Sequence, residues 1–157
     1  MPHAATALAT VAVALTCLAG SAGATEWTAQ PGEKAGSGCA VQSSRQTMRD
    51  GYQQTSVYFT VTPSSFALVS AAPLDAGAGD IGLAVDAEPF VPMDRLDGEK
   101  IARFDSKAPT LIGQFKAGAR VQVQLRFWPT WPATGAHSAT LSLIGFTKAF
   151  DELARCR

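Results

Sequence analysis

Histidine is nearly absent from this 157-residue chain, with His3 and His137 the only two. A serine or cysteine nucleophile needs a base, usually a histidine held by a carboxylate, and no Gly-x-Ser-x-Gly elbow accompanies His137. His3 falls in a segment expected to be removed, so hydrolysis would rest on His137 alone, and that residue reads as a turn position before a strand. Zinc fails on the same shortage of ligands, and no metal or other cofactor is expected. An excess of one charge is also missing. The 13 basic and 13 acidic residues cancel, leaving none of the basic field that nucleic acid or anionic membrane requires. No internal repeat and no dividing linker occur.

The N-terminus is present as a recognisable type. Ala4 to Gly20 carries no charge, and the small residues Ala22 and Ala24 sit two apart, the spacing of a signal-peptidase site. A signal peptide over 1–24, cleaved between Ala24 and Thr25, is expected, although the start has no Lys or Arg. An uncleaved anchor is the alternative, but the Ala-rich stretch falls short of the ~20 strongly apolar residues of a spanning helix. Thr16 and Ala14 around Cys17 do not fit a lipid-anchoring site. Residues 25–157 suffice for one domain, periplasmic or secreted, with no membrane span once the signal is gone.

Removing Cys17 with the signal leaves Cys39 and Cys156 of the three cysteines. In an oxidising compartment two thiols allow one intramolecular bond, closing nearly the whole domain. Free thiols or pairing to another chain are the alternatives.

Short alternating runs separated by turn residues predict a mainly β chain, an antiparallel β-sandwich-like single domain with one or two short helices, including a C-terminal one. Thr25 to Gly38 reads as an extended lead-in whose Trp27 docks on the core, and a first β run starts at Cys39. Thr55 to Thr62 has strict period two, with Val57, Phe59 and Val61 on one face. Phe66 to Ala71, Ile81 to Asp86, Pro89 to Met93 and Ile101 to Phe104 are further strands, and Pro73 to Asp80 is a loop. Leu111, Ile112 and Phe115, with Pro109 early and Gly118 as a stop, predict a helix from Ser106 or Lys107 to Ala117. Arg120 to Phe127 alternates Val121, Val123, Leu125 and Phe127 with a wet face. Ser138 to Ile144 is its antiparallel partner, and Phe146, Phe150 and Leu153 mark an amphipathic helix that carries Cys156 towards Cys39.

From Gly38 onward the chain resembles the invasion-associated locus B family of exported proteobacterial proteins. The resemblance rests on Gly38-Cys39, Tyr58-Phe59-Thr60-Val61-Thr62-Pro63, Gly82-Leu83-Ala84-Val85-Asp86, and above all Leu141-Ser142-Leu143-Ile144-Gly145-Phe146-Thr147-Lys148-Ala149-Phe150. Mid-chain cysteines expected of that family are absent. The resemblance implies an envelope protein with a β-sandwich core, in some members acting in host-cell interaction, and it implies no catalytic residues.

Two features remain for function. Asp75, Asp80, Asp86, Glu88, Asp94, Asp97 and Glu99 face only Arg95 and Lys100 in their own stretch; they match no calcium loop and read as exposed polar loops. Phe127-Trp128-Pro129-Thr130-Trp131-Pro132 sets two indoles and two prolines in one connection, which cannot be a central strand. Arg126, Trp128 and Trp131 are the candidate binding residues for a protein or glycan partner, since stiff aromatics lose little entropy on binding. The indoles capping the sandwich core is the alternative, as is a plain wet face for the row Gln122, Gln124 and Arg126. The expected function is a non-enzymatic envelope module; a structural or chaperone-like periplasmic protein comes next, and a small hydrolase last.

Overall fold

A computed structural model describes residues 25–32, 38–129 and 135–156. The expected signal segment 1–24 and the candidate Trp131 lie outside the described residues.

Strict alternation makes β4 (Gln54–Thr62) the backbone of the larger sheet, with Val57, Phe59 and Val61 fully buried. Its partner β5 (Ser65–Ser70) returns across the Pro63-Ser64 turn, in register from Thr62↔Ser65 to Val57↔Ser70. The other edge of β4 is long enough to serve two strands in succession. β2 (Cys39–Ser43) pairs at Val41↔Val61, and β3 (Gln46–Arg49) pairs from Gln46↔Val57 to Arg49↔Gln54. Where one gives way to the other, the Phe59 N–H donates to Ser43 Oγ at 2.9 Å.

The lead-in is more ordered than expected. Its Trp27–Pro31 segment is strand β1, antiparallel to β2 from Trp27↔Ser43 to Pro31↔Cys39. With β8 (Arg95–Asp97) and β9 (Ile101–Arg103) the sheet order is β1-β2-β4-β5-β9-β8, β3 lying beside β4. The segments of β3 and β8 each hold one large apolar residue, Met48 and Leu96, too few to show a period.

The smaller sheet is built on β10 (Arg120–Leu125), flanked by β11 (His137–Ser142) and β6 (Gly82–Val85), with the two-residue β7 (Val91–Pro92) outside β6. β10 ends two residues before the expected Phe127. The Pro73–Asp80 loop crosses there instead: Leu74 bridges Phe127, the Asp75 N–H donates to the Arg126 carbonyl at 2.8 Å, and the Trp128 N–H donates to the Pro73 carbonyl at 3.0 Å. The strand expected over Pro89–Met93 shrinks to β7.

The two sheets form an antiparallel sandwich. The Trp27 indole packs against Phe59, Phe115 and Phe146 at ring distances of 6.1, 6.0 and 5.0 Å, and its Nε1–H donates to the Ser142 carbonyl at 2.9 Å. Thr25 is 5% exposed, and its Oγ1 accepts the Ser142 N–H at 3.0 Å. Helix α1 (Ala108–Ala117), with Pro109 in its first turn, buries Leu111 and Phe115. Gly118 ends it in close contact with Val85: a Cβ there would stand 2.5 Å from Val85 Cγ1. Gly145, at φ +95°, makes the turn into α2 (Phe146–Glu152), which buries Phe146 and Ala149.

A single 3-10 turn, Leu153–Arg155, brings Cys156 to Cys39, and the disulfide forms with a Cα–Cα distance of 6.0 Å across 117 positions. Both helices, the β4–β5 turn and the disulfide therefore lie at one end of the sandwich. The opposite end carries the connections β3–β4, β5–β6, β8–β9 and β10–β11. No helix among the described residues is long and apolar enough to cross a membrane.

Candidate functional site

The loop end is where the two described candidate residues, Arg126 and Trp128, stand. Trp128 is 64% exposed, in contrast to Trp27 at 7% and to Phe59, Phe66, Phe104 and Phe146 at 0%. Capping of the core by Trp128 is thereby corrected: its neighbour Phe127, at 3%, fills that place, tied down by the Leu74 bridge. The backbone turns one residue later. The Trp128–Pro129 peptide is cis, and the Pro129 carbonyl accepts the Tyr52 hydroxyl at 3.1 Å. Tyr52 is itself 47% exposed. Tyr52 and Trp128 thus stand at the same end, joined through a bond between positions 77 apart.

Arg126 is not simply part of an outward row. Its guanidinium clasps Asp80, with Nε 3.1 and 3.2 Å from the two carboxylate oxygens and Nη2 also on Oδ2. The Gln124 amide donates to the Asp80 carbonyl at 2.8 Å. All three lie on the outer face, but only Gln122 is exposed; Gln124 and Arg126 are half-buried and staple the Pro73–Asp80 loop to the end of β10. The Arg126 hydrogen bonds hold the Asp80 carboxyl below its ordinary range, against a smaller upward push from burial.

Asp50 anchors the β3–β4 connection in a similar way. Its Oδ1 accepts the N–H groups of Tyr52 and Gln53, both at 2.8 Å. Burial pushes its carboxyl up, but these backbone hydrogen bonds, helped by His137, outweigh burial and lower it. The loop that carries Tyr52 is therefore fixed by a buried carboxylate. Sequence reasoning missed Tyr52, because nothing local at Gly51-Tyr52 signals its meeting with Pro129.

The acids expected to face only Arg95 and Lys100 find more distant partners. Asp94 pairs with Lys107 at 2.6 Å, Asp97 with Arg103 at 2.9 Å, and Asp86 accepts the N–H groups of Ala119 and Arg120 at 2.8 and 3.0 Å. All three brace the fold; Asp86 also borders a shallow depression with Arg120 and Gln122. Among the described residues no three His, Cys, Asp or Glu side chains converge as metal ligands. His137 opens β11, its ring 5.9 Å from that of Phe127. Chemically, this end offers stacking faces on Trp128 and Tyr52 beside a fixed Asp80–Arg126 ion pair.

No family model, curated protein or solved structure matches the chain.

Proposed function

We propose that this chain is an exported, non-enzymatic envelope module that holds a protein or glycan partner at its loop end, through Trp128 and Arg126, with Trp131 of the same sequence segment as the third candidate. The observation that carries this reading is the 64% exposure of the Trp128 indole in a domain that buries its other described tryptophan and most of its phenylalanines. The Pro73 carbonyl and the Tyr52 hydroxyl hold the backbone of Trp128 and Pro129 from two sides, so these two residues have little backbone freedom left to lose on binding. Sugars stack on such indole faces, and tryptophan anchors protein interfaces.

The signal peptide expected over 1–24, the disulfide and the sequence resemblance to the invasion-associated locus B family are what support an envelope or secreted location. Replacing Trp128 and Trp131 together by Ala tests the binding reading. Capture of the partner from envelope extract is expected to vanish, with the unfolding midpoint within about a degree of the parent. A double variant that folds and still captures the partner overturns it.

A further inference from the structure

Beyond the loop end, we propose that the sandwich has a second docking surface: a groove beside the edge of β1, which among the described residues has no strand on its outer side, that accepts an extended segment of another polypeptide as an added strand. The groove has a volume of about 710 Å³. One wall is the five consecutive residues Thr25 to Ala29; the other is a single face of α2 and its approach, Ile144, Gly145, Lys148, Ala149 and Glu152.

The backbone register says what the first wall offers. The Ser44 N–H donates to the Glu26 carbonyl, and the Gly32 N–H donates to the Gly38 carbonyl. Bonded pairs alternate along an antiparallel ladder, so Thr28 and Gln30, opposite Gln42 and Ala40, spend their backbone groups on β2. The N–H and C=O of Trp27 and Ala29 then point away from β2 into the groove. Edge groups of this kind are a template for a strand. Pro31, which has no N–H, closes the row, and five strand residues span roughly 17 Å.

The second wall says what such a strand would carry. Gly145, which is exposed and has no side chain, leaves room for one, and Ile144, 79% exposed, supplies apolar surface. Lys148 and Glu152 are of opposite sign, so neither an acidic nor a basic segment is demanded. The occupant is an extended, uncharged segment with apolar residues at alternate positions. A helix keeps its backbone groups for itself, and a glycan has no N–H and C=O groups at strand spacing. A second copy of this chain would have to bring its own α2 in beside the incoming strand.

The test uses the mature chain and a library of blocked synthetic hexapeptides that alternate Val or Ile with Thr or Ser. In the free monomer the Trp27 and Ala29 amides are expected to exchange with solvent while those of Thr28 and Gln30 are protected. The tightest library peptides slow exchange at Trp27 and Ala29 at least tenfold. Ala29→Pro removes an outward N–H without touching the bonds to β2 and is expected to weaken these peptides at least tenfold. Should that variant fail to fold, Ile144→Glu, at an exposed position, carries the same expectation. Amides of Trp27 and Ala29 already protected in the free monomer, or unaffected by every peptide, overturn the proposal. So does protection that grows with protein concentration, which makes a second copy the occupant. Trp128→Ala leaves peptide binding unchanged, so the groove and the loop end stand or fall separately.

Discussion

The Ser43 hydroxyl takes the place of a backbone carbonyl for Phe59: its Oγ accepts the Phe59 N–H at 2.9 Å, where β2 ends and β3 has not yet begun. Ser43 is 7% exposed and Phe59 fully buried, so no water can substitute. A buried N–H without a partner costs about 1–3 kcal/mol. Ser43→Ala should destabilise the domain by that amount in urea unfolding, and Ser43→Thr by less. Equal stability of Ser43→Ala and the parent would mean that the strand shifts to satisfy Phe59 in another way.

Cys39 and Cys156 join the start of β2 to the end of the C-terminal turn across 117 positions. Closing a loop of that size is worth about 4–5 kcal/mol on the chain-entropy account. Cys39→Ser and Cys156→Ser should each lower stability by a similar amount, and reduction of the parent should match them. A large difference between the two variants would show one cysteine acting through its packing instead.

Trp128 and Trp27 should separate cleanly on substitution. Trp128→Ala removes a side chain that is 64% exposed and should change stability by less than about 0.5 kcal/mol. Trp27→Ala removes an indole packed on three rings and should cost about 3–5 kcal/mol. Chemical denaturation of the two variants side by side checks this, and comparable losses would place Trp128 in the core after all.

Acid should unfold the domain through a small set of carboxylates. Asp50, Asp80 and Asp94 are all held below their ordinary value of 3.8, Asp94 because its bonds to Lys107 and Ser106 outweigh burial. The unfolded chain therefore binds these protons first. Their contribution is complete above about pH 4 and is lost as the pH falls through the depressed folded values. The urea midpoint should be flat from neutrality to about pH 4 and drop below it, and Asp80→Asn should shrink the drop. An unchanged drop in Asp80→Asn would rule out its pairing with Arg126 as a source.

Much of the architecture was legible because it is written at short range. Val57, Phe59 and Val61, and again Val121, Val123 and Leu125, carry a period of two that fixes both the strand and its buried face. Pro109 and Gly118 bracket α1 by their own backbone limits, and two cysteines beyond the apolar N-terminal run leave one intramolecular pair. β3 and β8 escaped because Met48 and Leu96 stand alone, and β1 escaped because its order comes from pairing with β2. Chain distance hid the rest. Arg126 reads as solvent-facing until Asp80, 46 positions away, is folded against it. Phe127 continues the inward period of Val121, Val123 and Leu125, but that it closes this end of the core while Trp128 stands in water is settled only where Leu74 crosses it. The sequence by itself determined the β pattern, the helices and the disulfide, because each depends on local backbone preference or on a count. The tertiary structure alone decided which aromatic faces water, which acids are paired and which strand edge lies open, because those depend on segments that meet only when the sandwich closes.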